Sequence, residues 1–239
     1  MKRLLLVALV ATSFSGLANA NNGVYASLKT GISDTKLKSN EVNYNVNGGA
    51  GSETHRIANQ TRSTYPNIAV AVGYDFSLIS PVNARAELEY TYKDKTKFDA
   101  DASSITTFNS YDENVPTPYT NTVRTQSLML NGYYDFKNQS KFTPYVSAGV
   151  GITRIKNNLK NTNYPDDEYS LSKSDNHFTW STGLGIAYNI SQNVALDASY
   201  RYVDAGKFEF KHTHSSSEDT SVKFKQTSND YALGIRYNF

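Results

Sequence analysis

The chain contains no cysteine, which excludes a disulfide framework, a thiolate metal site and a cysteine nucleophile. It has no uninterrupted run of 18 or more apolar residues, which excludes a transmembrane helix. Neither sign of charge dominates: 24 Lys and Arg stand against 22 Asp and Glu. A nucleic-acid partner held by phosphate attraction would call for a basic excess, so none is expected. Proline and methionine are scarce, at 6 and 2 in 239 residues, and tryptophan occurs once. The mean hydropathy of −0.53 reads, taken alone, as a polar soluble protein. One residue class is abundant instead, with 18 Tyr and 11 Phe, and its location decides the class of the protein.

Residues 1–20 read as a Sec-type signal peptide. Met1, Lys2 and Arg3 are a short basic start, residues 4–10 an apolar stretch, and Ala18-Asn19-Ala20 a small-x-small cleavage site. The expected organisation is therefore a signal peptide over 1–20 and one β-barrel domain over 21–239. Without Lys2 and Arg3, each sign of charge numbers 22, so the expected mature chain is neutral.

The remaining chain alternates apolar and polar with a period of two, and does so in eight segments: residues 23–33, 67–76, 82–92, 127–136, 142–152, 178–190, 194–202 and 230–239. In the last, Tyr231, Leu233, Ile235, Tyr237 and Phe239 alternate with Asp230, Ala232, Gly234, Arg236 and Asn238. Each segment has about the ten residues that a tilted strand needs to cross a bilayer. A soluble sandwich also alternates, but three features speak for a membrane barrel. Short connections (77–81, 137–141, 191–193) alternate with long polar ones (34–66, 94–122, 156–177, 206–229), as in an up-and-down barrel with short periplasmic turns and long outer loops. The aromatics gather at the strand ends on the apolar face, with aliphatic residues between, as two interfacial girdles would. The opposite face is rich in Gly, Ala and Ser with a few charges, which suits a narrow lumen. The fold class expected is all-β: an eight-stranded antiparallel up-and-down transmembrane β-barrel with long extracellular loops.

On this reading Lys29, Arg85, Arg201 and Arg236 face inward with Asp75, Glu87, Glu89, Asp135, Asp197 and Asp230. Buried charges must be paired or wetted. They form either an ion-pair network that fills the lumen or a charged pore lining. Eight strands enclose a space just wide enough for side chains, so the first is preferred, with Lys29, Arg85, Glu87, Glu89, Asp197, Arg201 and Arg236 as its members. Glu87 and Glu89 lie two residues apart, but no nucleophile or oxyanion donor accompanies them, and the chain is not expected to be an enzyme. His212 and His214 form a His-x-His pair with no evident third ligand. No metal and no cofactor are expected. Residues 207–211 and 222–225 alternate like strands and are expected to continue the last two strands as a hairpin, with Ser215, Ser216 and Ser217 near its tip. Loop two is acidic, with Asp94, Asp99, Asp101, Asp112 and Glu113 against Lys95 and Lys97.

Several segments resemble the opacity (Opa) family of outer-membrane proteins. Residues 193–207, NVALDASYRYVDAGK, are similar to the seventh strand of that family. Residues 141–151, KFTPYVSAGVG, are similar to the fifth, and NGYYDFKN (131–138) and ARAELEYTY (84–92) to the corresponding strands. The terminal Tyr-Asn-Phe fits outer-membrane barrels generally, and Tyr237 and Phe239 resemble the signal read by the barrel insertion machinery. The resemblance implies a Gram-negative outer membrane location at the cell surface, with loops exposed as antigens. It further implies adhesion to a host surface receptor. Outer-membrane lipid and the insertion machinery are the other partners expected, and the chain is expected to be a monomer. It carries over no binding residue. The alternatives are a small porin of the opacity family passing ions or small solutes, and an enzyme working at the lipid interface.

Overall fold

In the computed structural model the described residues are 23–46, 52–57, 61–103, 116–161, 170–215 and 218–239. Side chains are described within 23–38, 62–94, 122–156, 174–208 and 225–239. The strands are β1 (Val24–Val46), β2 (Ser52–Ile57), β3 (Thr61–Asp75), β4 (Ala84–Ser103), β5 (Pro116–Asp135), β6 (Phe142–Asn161), β7 (Ser170–Asn189), β8 (Val194–Ser215) and β9 (Glu218–Asn238). Consecutive strands pair antiparallel from β3 to β9. β1 pairs with β3 on one side and with β9 on the other, which closes an eight-stranded barrel. Closure leaves no sheet edge in the hydrocarbon, so the backbone groups of the wall are met without water. The short β2 pairs with the outer part of β1, from Asn40↔Ile57 to Asn45↔Ser52, and continues the return strand above β3.

The period of two decides which residues face which solvent. Leu233 is 68% exposed and Leu184 58%, on the lipid side, while Glu89 and Thr179 are fully buried inside. This inversion of the usual rule is what a lipid-facing wall requires. The aromatic girdles are built from neighbouring rings on that outer face. Tyr74–Phe76, Tyr134–Phe136, Phe142–Tyr188 and Tyr237–Phe239 lie at the short-turn end, with centroids 4.9–5.3 Å apart. Trp180–Tyr202 and Tyr200–Tyr231 lie at the other. Not all the tyrosines are there. Tyr25, Tyr65, Tyr133 and Tyr145 turn inward and are buried, which corrects the view that the aromatic excess marks only the rims. The small inward residues make the room: a Cβ added at Gly73 would meet the Tyr25 ring, and one at Gly185 the Tyr145 ring.

The strands also run further than the alternation predicts. The long connections, read as loops from 34, 94, 156 and 206, begin as strand pairs that carry β1 to Val46, β4 to Ser103, β6 to Asn161 and β8 to Ser215. Above the membrane no lipid enforces an apolar outer face, so the ladder continues while its hydropathy signature fades. The predicted hairpin of β8 and β9 is present, paired out to Ser215↔Glu218. Register shifts occur in β1 at Lys38/Glu41, in β4 at Lys93/Thr96 and in β8 at Asp204/Lys207. The last contains Gly206 at φ +85°, whose N–H donates to Asp204. Bulges are common at barrel rims, and these three mark where the wall leaves the membrane. At the other end the chain turns tightly: Phe76 belongs not to β3 but to a 3-10 turn, Phe76–Leu78, capped by Asp75 accepting from the Ser77 N–H at 2.9 Å. Residues 1–22 lie outside the described residues.

Candidate functional site

The barrel interior divides into three levels. Nearest the short turns, the Arg85 guanidinium donates to both carboxylate oxygens of Asp135, at 2.7 and 2.9 Å. It also lies over the rings of Tyr133, Tyr145 and Tyr25, 4.5 to 5.7 Å from their centroids. The Tyr145 hydroxyl donates to Asp197 at 2.7 Å. Arg236 rests 5.5 Å from the Tyr25 centroid, and its Nε and Nη1 meet no acceptor among the described residues. A cavity of about 10 Å³ lies here, lined by Ser27, Lys29, Arg85, Glu87, Asp197 and Arg236 among others. It has room for about one water molecule.

At mid-height Lys29 donates to Glu87 at 2.5 Å and to Glu89 at 2.7 Å. Lys29 lies two strands from both carboxylates, and the β3 residues between them are Ala69, Ala71 and Gly73. Their small side chains let the lysine cross. Arg201 donates to Glu89 at 2.7 Å from the far wall. The hydroxyls of Ser27 and Tyr133 donate to Glu87, and that of Thr91 to Glu89. Higher still, Lys93 donates to Asp230 at 2.8 Å and to Ser228.

The outer end is lined differently. Leu37, Val123, Ile155, Ala205 and Phe208 form a buried apolar cluster above the charges. The His177 ring lies 4.0 Å from that of Phe208, and His177 pairs with Asp175 at 3.0 Å. Among the described residues no hydroxyl is bonded to the ring of this histidine, and no cluster of three metal-ligating side chains occurs. His212 and His214 lie on the outer part of β8, where side chains are outside the described residues.

The structure thus brings Lys29, Glu87, Glu89 and Arg201 into one network and sets Arg85 with Asp135 beside it. It places Asp197 against Tyr145 and, among the described residues, leaves Arg236 without a carboxylate ion pair. Sequence reasoning missed Lys93, Tyr25 and Tyr133. Each shares the parity of the inward residues on its own strand, so the period of two carries the signal. Lys93 was passed over because it stands at the edge of what reads as loop two.

The match to known proteins follows the barrel. The outer membrane protein beta-barrel domain family matches residues 4–239. The chain belongs to this family. It is an outer-membrane protein, and an eight-stranded member. Outer membrane protein PagN of Salmonella typhimurium is 33% identical over 242 residues, covering 96% of this chain and 95% of that protein. Opacity protein opA67 of Neisseria gonorrhoeae is 25% identical over 206 residues, covering 75% and 79%. RC1281 of Rickettsia conorii, named as a candidate adhesin, is 26% identical over the whole of both chains. Among solved structures, a major outer membrane protein from Thermus thermophilus has a TM-score of 0.53 at 11% identity, covering 90% of this chain and 99% of that one. The outer membrane protease OmpT of Escherichia coli has 0.52 at 9%, covering 92% and 98%. These two share the fold. The relatives by sequence are outer-membrane and opacity proteins, as the resemblance of residues 84–92, 131–138, 141–151 and 193–207 implies.

Proposed function

We propose that this family member is a surface adhesin, in which the barrel is a rigid mount and the outer hairpins are the working part. One observation carries the reading. Among the described residues the lumen holds paired charges and, above them, the buried cluster of Phe208 and its neighbours, while the strand pairs continue well past the membrane. This arrangement among the described residues supports a membrane part without an open path for a solute, with the hairpins as the exposed working area. The names of the opacity relatives and of RC1281 support the same direction. The partner is a host-surface receptor, met by a monomer. Tyr237 on the closing strand β9 and Phe239 just after it serve as the signal for outer-membrane insertion. Non-adherent bacteria displaying the protein are expected to bind cultured host cells. Bacteria displaying a form with β4 and β5 joined by a short turn above Lys93 and Val123 are expected to bind less at equal surface level. Equal binding by both forms would remove that hairpin from the function, and no binding by the full protein would end the adhesin reading.

A further inference from the structure

On the outer face of the wall, just above the outer aromatic rim, basic side chains stand opposite one another across neighbouring strands. Lys36 of β1 is in register with Arg62 of β3. Lys38 of β1 is in register with Lys225 of β9, and Lys225 with Lys207 of β8. Like charges directly opposite on one sheet face destabilise it, and here the repulsion runs across four adjacent strands at the seam where the barrel closes. Two carboxylates lie within the patch. Asp34 accepts from Arg62, and Asp204 from Lys225 at 2.7 Å. Lys36, Lys38 and Lys207 form no ion pair with a carboxylate among the described residues, and Lys36 acts on Asp34 only through its nearby charge. Among the described residues the patch thus has five basic groups against two carboxylates. Lys38 and Lys207 are exposed, Lys36 half-buried.

The height of the patch is informative. On β1 the last exposed apolar side chain among the described residues is Ile32, and the basic residues follow at 36 and 38. On β9 Tyr231 is the last exposed ring before Lys225, which follows outward. These are the positions at which long basic side chains reach lipid headgroups from the wall of a barrel. A soluble partner docking on the hairpin tips would not meet this lateral band.

We infer that Lys36, Lys38, Arg62, Lys207 and Lys225 form a binding site for the phosphate groups of an anionic lipid in the outer leaflet. The lipid's phosphates take the place of the missing carboxylates and relieve the cross-strand repulsion. Asp34 and Asp204 hold Arg62 and Lys225 in place, and the other three lysines supply the attraction.

The test uses the full chain refolded in zwitterionic detergent. Lipopolysaccharide, its enzymatically dephosphorylated form, inorganic phosphate and heparin are titrated separately. Lipopolysaccharide is expected to bind and to raise the unfolding temperature, and dephosphorylation to abolish both effects. The variant Lys36→Gln/Lys38→Gln/Lys207→Gln keeps both ion pairs, so its fold is expected to be intact by heat-modifiable gel mobility. At the usual strength of a surface lysine toward anionic lipid, it is expected to bind lipopolysaccharide about a hundredfold more weakly. Should the variant fail to fold, the single change Lys207→Gln is read instead, with a loss of about fivefold. Equal binding of the phosphorylated and dephosphorylated lipids, or equal binding by variant and parent, overturns the site. So does inorganic phosphate alone matching the lipid's effect, or a loss confined to heparin, which would make the patch a site for a free anion or a soluble glycan. All of these readouts are independent of host-cell binding.

Discussion

Lys29 is held between two carboxylates in the barrel interior, and Glu89 is shared with Arg201 from the opposite wall. Removing water from such charges is costly, and their attraction offsets the cost only when the group is complete. Lys29→Met leaves Glu87 without a cation and is expected to destabilise the barrel by about 3–5 kcal/mol. This would be read from urea midpoints in lipid vesicles. Lys29→Met/Glu87→Gln removes the stranded charge while Arg201 still holds Glu89, and is expected to recover most of the loss. No recovery would show that Lys29 acts through packing and not through charge. Just outside the membrane-spanning part, hydrogen bonds from Arg62 are the first cause holding the Asp34 carboxyl below its ordinary value. Asp34 is thus more acidic folded than unfolded. The pair stabilises the barrel above the unfolded value, about pH 4, and that stability is lost as the pH falls further. The stability difference between parent and Asp34→Asn is therefore expected to be flat above about pH 5 and to shrink below about pH 4. A difference that grows on acidification would contradict the pairing.

At the scale of elements, the bulges in β1, β4 and β8 separate a membrane part with strict alternation from an outer part without it. The apolar cluster of Leu37, Val123, Ile155, Ala205 and Phe208 sits at that junction and joins strands β1, β5, β6 and β8. Phe208 is 1% exposed, and Phe208→Ala is expected to cost about 3–5 kcal/mol and to loosen the β8–β9 hairpin. Hydrogen exchange would show faster amides in the outer halves of β8 and β9 and little change near Tyr237. This division also explains what the sequence makes legible. Lipid forces Leu128, Leu130, Leu233 and Ile235 outward, so eight crossing strands and the inward set Arg85, Glu87 and Glu89 can be read from parity alone. Above the bulges that force is absent, so the outer strands read as loops. Which inward charges meet is a matter of register. The contact of Lys29 with Glu87 and Glu89 depends on the small residues Ala69, Ala71 and Gly73 between them, and no local pattern announces it. The inward tyrosines are legible in parity but run against the rule that barrel aromatics mark the rims.

For the whole molecule, the interior and the exterior do different things. Lys29, Arg85, Lys93, Arg201 and Arg236 face Glu87, Glu89, Asp135, Asp197 and Asp230 inside the wall, so these ten groups balance in sign. Such an interior keeps the barrel shape independent of the hairpins. Replacing residues 97–120 by a short turn is therefore expected to leave refolding yield and heat-modifiable mobility unchanged while lowering host-cell binding. A truncated form that no longer refolds would mean that the hairpin is part of the barrel's own stability. The central claim is that the lumen is a filled strut and that function lies outside it. Planar-bilayer recording of the purified chain tests this most directly. The account predicts a membrane that stays closed under applied voltage, without steps of reproducible size. Steady unit conductances that change when Phe208 or Arg201 is replaced would contradict it and make the charged interior a pore.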